Sequence, residues 1–115
     1  MTHDIGQYRE EFRGCVKAMN MVDDDPDAEK YNELNDTLMT RVNEWTEQGT
    51  VNEVLFPLLD DEELPVRCHA AAYLVRLDST QQKAFTVLTE LARSDDLAVS
   101  TTAQDVIRVW RKGLT

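Results

Sequence analysis

Glycine, proline, histidine and cysteine are all scarce in this 115-residue chain, at four, three, two and two residues. The glycines, Gly6, Gly14, Gly49 and Gly113, are isolated, so there is no glycine-rich loop to cradle a phosphate. Cys15 and Cys68 show no CxxC or metal-ligand spacing and are too few for the disulfide framework of a small secreted domain. A reducing, cytoplasmic compartment is expected. His69 follows Cys68, but adjacent residues on a helix point in different directions and do not form a thiolate–imidazole pair. With His3 as the only other histidine, no metal site is expected. No stretch approaches the roughly 18 apolar residues that would span a bilayer. The N-terminal MTHDIGQYREEF has neither the basic nor the apolar region of a signal peptide. GxSxG, HExxH and recognisably paired catalytic carboxylates are missing as well, and the expectation is a non-enzymatic protein without catalytic residues or cofactor.

Basic residues are also in deficit, with 12 against 22 acidic ones and a formal net charge of −10. Such a field repels nucleic-acid phosphates and anionic membranes and favours a protein partner with a basic surface. No basic stripe is visible in the sequence. Hydrophobic residues make up 42% and charged residues 30%, which is enough apolar material for one folded domain.

The apolar residues recur at helical spacing throughout, and no strand pattern is present. Ile5, Tyr8, Phe12, Cys15, Val16 and Met19 mark a first helix over about residues 4–20. Asp23, Asp24, Asp25 and Pro26 interrupt it, with Asp25 placed to cap the next helix and Pro26 suited to its first turn. Tyr31, Leu34, Leu38, Val42 and Trp45 form one face of a second helix that closes at Gly49. Val51, Val54, Leu55, Leu58 and Leu59 predict a short third helix disturbed by Pro57. A fourth, opened by Pro65 and running to about Leu77, is apolar on both sides and should be sandwiched. Asp78, Ser79 and Thr80 cap a fifth. A sixth, with Val99, Ala103, Val106, Ile107 and Trp110 inward, ends in Arg108, Arg111, Lys112 and Gly113, where cations suit the helix dipole.

Residues 54–77 overlay residues 87–110 without a gap, at an offset of 88 − 55 = 33 residues. Val54 falls on Val87, Leu55 on Leu88, Leu58 on Leu91, Leu64 on Leu97, Val66 on Val99 and Ala70 on Ala103. This is the periodicity of stacked helical hairpins, each covering the next. One domain follows, with 4–49 an N-terminal helical hairpin and 50–113 two repeats.

The stretch LLDDEELPVRCHAAAYLVRL, Leu58 to Leu77, resembles a HEAT repeat, with an acidic turn, a Val-Arg pair and small residues opening the second helix. Together with Leu91-Ala92 and Trp110-Arg111-Lys112-Gly113, it is similar to a small bacterial HEAT-like family of unknown function. The resemblance implies an all-α fold, a right-handed α-α superhelix of about three antiparallel helix pairs. It also implies a structural Arg67 paired with Asp60, Asp61 or Glu62. Ser100 stands where the second repeat would carry the equivalent Arg. Compact domains of this kind recur among bacterial immunity proteins.

An immunity- or antitoxin-like protein that occludes a basic surface, such as that of a nuclease toxin, is the functional expectation. Its candidate contacts are Asp60, Asp61, Glu62 and Glu63, then Asp23, Asp24, Asp25 and Asp27, then Asp95 and Asp96. The alternative is a HEAT-like adaptor or self-associating module. Asp23, Asp25, Asp27 and Glu29 alternate like calcium-loop ligands, but Ala28 and Leu34 occupy the positions that need glycine and glutamate. Trp45 and Trp110 fall on inward stripes and read as core.

Overall fold

A computed structural model describes residues 4–21 and 29–113. The described residues form six α-helices and one 3₁₀ helix, with no strand. They are α1 (Ile5–Met21), α2 (Glu29–Gln48), α3 (Val51–Leu55), the 3₁₀ helix (Phe56–Asp60), α4 (Leu64–Leu74), α5 (Gln81–Leu91) and α6 (Leu97–Gly113). The chain divides into two compact units, one up to Val54 and the other from Leu55 onward, and α3 straddles the division.

In the first unit, α1 packs on α2. Phe12, Val16 and Met19 meet Leu38, Val42 and Trp45, all buried, which is the face that the three- and four-residue spacing marks. Tyr8 stacks on Trp45 with ring centroids 5.4 Å apart, and the Cys15 thiol donates to the Leu34 carbonyl at 3.3 Å. Arg41 ties the pair together. Its Nε donates to Glu11 Oε2 at 3.0 Å, its Nη1 to Glu44 Oε2 at 3.0 Å, and its guanidinium lies 5.7 Å from the Tyr8 ring centroid. The hydrogen bond to Glu11 holds the Arg41 pKa above its ordinary value.

Gly49 ends α2 at φ +77°, a conformation that favours glycine. The Gly49 amide donates to Thr46 O at 3.1 Å and the Thr50 amide to Trp45 O at 2.9 Å, which satisfies the last carbonyls of the helix. Eight residues later Pro57 stops α3 in a different way. Proline has no N–H, so the amide that would close an α-turn on the Glu53 carbonyl is missing, and the chain tightens into the 3₁₀ helix. Arg9, from α1, supplies a donor instead: Nη2 to Glu53 O at 2.9 Å and Nε to Val54 O at 3.2 Å.

In the second unit, α4 contacts the 3₁₀ helix, α5 and α6. Val66, Ala70 and Leu74 are buried along one side, and Cys68, Ala71 and Val75 along the other. The dual burial expected of this helix is therefore present, and its alanines let the neighbours approach. The helix ends at Leu74 and not at Leu77: the Arg76 and Leu77 amides donate to carbonyls three residues back, Tyr73 O at 3.4 Å and Leu74 O at 3.1 Å, and the Thr80 hydroxyl also donates to Leu74 O at 2.8 Å. Thr80 is the residue before α5, yet its side chain caps the end of α4 and leaves the amides of α5 alone. The tilted Phe85–Trp110 pair, with centroids 5.0 Å apart, and the Gln104 Nε2 hydrogen bond to Ala92 O at 3.1 Å place α5 and α6 antiparallel.

The residues paired by the 33-residue offset share their environments. Val54 and Val87, Leu55 and Leu88, Leu58 and Leu91, Val66 and Val99, and Ala70 and Ala103 are all buried. Leu64 and Leu97 break the correspondence: Leu64 is half-buried, whereas Leu97, at the start of α6, is 79% exposed.

Candidate functional site

The acidic turn Asp60–Glu63 joins the 3₁₀ helix to α4, and its carboxylates have unequal roles. Asp60, Glu62 and Glu63 are exposed. Asp60 Oδ1 lies 4.0 Å from Lys83 Nζ, a solvent-exposed pair that contributes little to stability. Asp61 builds the turn. Its Oδ2 accepts the Glu63 amide at 3.0 Å, its own amide donates to Leu58 O at 3.2 Å, and its carbonyl accepts Arg67 Nε. The arginine expected to hold this turn does reach it, and the contact it makes is to backbone oxygen. Glu63 then opens α4 from an extended conformation, with Pro65 in the first turn, where a missing N–H costs nothing.

Asp95 and Asp96 are both exposed before α6. Asp96 has a structural task, since its Oδ1 accepts the Val99 amide at 3.2 Å and so caps the helix. Its amide donates to Ser94 Oγ at 3.1 Å. Asp23, Asp24, Asp25 and Asp27 lie outside the described residues, as do the expected cap and proline of α2 at Asp25 and Pro26.

Cys68 is buried, and desolvation pushes its thiol up to about 11, so it carries no thiolate at neutral pH. Desolvation lowers the His69 pKa below its ordinary 6.5, keeping the imidazole neutral as well. The two side chains thus do not supply the charged pair that nucleophilic chemistry would use. Among the described residues, no three His, Cys, Asp or Glu side chains are grouped to hold an ion, and no helix is long and apolar enough to cross a membrane.

Clefts lie on both units among the described residues. In the first unit, one of about 200 Å³ is lined by Phe12, Cys15, Leu38, Arg41 and Trp45. Trp45 is buried as expected, and its indole Nε1 has no hydrogen-bond partner. In the second unit, one of about 540 Å³ is lined by Ala72, Val75, Val106, Val109 and Trp110, with Arg76 and Asp105 at hand. Trp110 is half-buried there and forms part of the wall, so it is less of a core residue than its stripe implies. The last, of about 480 Å³, gathers Arg93, Arg108, Arg111 and Lys112 between α5 and α6. This basic surface corrects the expectation that none exists. Arg108, Arg111 and Lys112 belong to one helix end, and Arg93 joins them only through the packing of α5 and α6.

The class that this fold defines is all-helical. No family model matches the chain, and no curated protein or solved structure matches it.

Proposed function

We propose that this chain is a non-enzymatic, cytoplasmic protein-binding domain of HEAT-like architecture, in the manner of an immunity or antitoxin protein that occludes a basic surface. The observation that carries this reading is the acidic turn before α4. Asp60, Glu62 and Glu63 are exposed on a backbone that Asp61 and Arg67 fix from within. A turn backbone held in one arrangement loses less entropy on binding, and the net charge of −10 steers a basic partner toward its carboxylates. Asp95, beside the capped start of α6, extends the same surface chemistry to the second repeat.

The test recovers a partner by affinity capture and compares its association with the wild type and with an Asp60→Lys/Glu62→Lys/Glu63→Lys variant across ionic strength. The variant should associate more slowly by roughly an order of magnitude at low salt, with the difference shrinking at high salt. Equal rates at every salt would remove the turn as the steering site.

A second reading, an adaptor or self-associating module, is favoured by the apolar cleft at Val75, Val106, Val109 and Trp110, where Val109 is 60% exposed. A partner whose capture is insensitive to the charge reversal and lost on Val109→Asp would support this reading over the first.

A further inference from the structure

The cleft between α5 and α6 carries the opposite charge from the rest of the protein, holding four of its 12 basic residues. Two of them have partners on the protein. Arg108 Nη2 donates to Asp105 Oδ1, and the Arg111 guanidinium lies 5.8 Å from the Phe85 ring centroid. The hydrogen bond from Gln104 to Ala92 ties the two helices together along the cleft. Ile107 and Ala92 add apolar surface to the same cavity.

We propose that this cleft binds a small phosphate-bearing molecule. Guanidinium groups present forked donors that match phosphate oxygens two at a time, and three arginines line this cleft with one lysine. The cleft, of about 480 Å³ and open to solvent, has room for a small molecule. The overall charge decides between a compact ligand and a polymeric one. A nucleic acid or an anionic membrane extends beyond the screening length of about 8 Å and meets the acidic body. A single phosphorylated molecule is held inside the basic patch. The apolar wall at Ile107 and Ala92 accommodates the part of the ligand that carries no charge. This inference uses other residues and the opposite charge from the proposed function, and neither depends on the other.

The experiment is a titration of the full chain with pyrophosphate, followed by amide resonances, with glutarate as a carboxylate control. Vesicles of phosphatidic acid in phosphatidylcholine test for a lipid source of the same phosphate chemistry. Saturable one-to-one binding of pyrophosphate is expected, with shifts concentrated at residues 89–93 and 104–112. Glutarate should bind weaker by about tenfold or more, and the vesicles should not bind. The Arg93→Gln/Arg111→Gln variant should keep its thermal transition and lose pyrophosphate affinity by about tenfold or more. If that variant is destabilised, Arg93→Gln alone, at an exposed turn residue, gives the same reading. Absence of saturation, scattered shifts, equal binding of glutarate, binding to vesicles alone, or an unchanged affinity in the variants would each overturn the proposal.

Discussion

Asp61 and Ser94 stand 33 residues apart and make the same hydrogen bond, each side chain accepting the amide two residues ahead, at 3.0 Å for Glu63 and 3.1 Å for Asp96. The two turns lead directly into α4 and α6. The chain thus repeats a local device as well as a hydrophobic pattern, although one acceptor is a carboxylate and the other a hydroxyl. Asp61→Ala and Ser94→Ala should each destabilise the protein by about 0.5–1.5 kcal/mol. The double variant should show the sum, because the turns share no bonding group. Chemical denaturation of the four proteins measures this, and a cost at only one turn would mean that the devices are not equivalent.

Ala71 is fully buried on α4, the helix flanked by the 3₁₀ helix, α5 and α6. Ala71→Glu places an unpaired charge there, and the penalty is on the order of several kcal/mol. Loss of the cooperative thermal transition is the expected result. Retention of the wild-type midpoint would contradict the two-sided burial.

Gly14 and Gly49 should respond to alanine with opposite signs. Gly14 lies within α1, is exposed, and a Cβ there meets nothing within 4 Å. Gly14→Ala should stabilise by about 0.5–1 kcal/mol through helix propensity. Gly49 also has open space around it, but its φ of +77° strains any L side chain, so Gly49→Ala should destabilise by about 1 kcal/mol. Thermal melts of the two single variants decide between these signs.

His69 gives the protein an acid-side weakness. Its folded pKa lies below the ordinary 6.5, so between those two values the unfolded chain binds more protons than the folded one. The stability contribution of the neutral imidazole is complete above the unfolded pKa and declines as pH falls below it. Denaturation midpoints recorded from pH 7.5 to pH 5 should fall less steeply in His69→Gln than in the wild type. Parallel slopes would assign the decline to other groups.

Much of the fold is legible in the sequence because it is local. The positions of Gly49 and Pro57 fix where α2 and α3 end, and the spacing of Phe12, Val16 and Met19 fixes the face that α1 buries. The features that resist reading depend on distant partners. Leu97 matches Leu64 in the alignment yet is exposed, since burial depends on what packs against a residue and among the described residues nothing buries it. Thr80 looks like a cap for the helix that follows it, and the carbonyl of Leu74 draws it backward. For the candidate site, a run of four acidic residues is plain, whereas the structural duty of Asp61 depends on a turn geometry that composition does not encode. Arg93 and Arg108 become neighbours of one cleft only once α5 and α6 are packed.

Arg9 and Pro57 illustrate a dependence between positions that never share a bond. The guanidinium is needed at Glu53 and Val54 because the imino acid withholds an amide there. The two sites therefore form an epistatic pair. Removing Arg9 while Pro57 is present leaves the exposed Glu53 carbonyl to water alone, whereas restoring an N–H at position 57 gives that carbonyl a donor from its own helix and makes the arginine partly dispensable. Chains that descend from this one should thus lose the proline before, or together with, the arginine, and the reverse order should pass through a less stable intermediate.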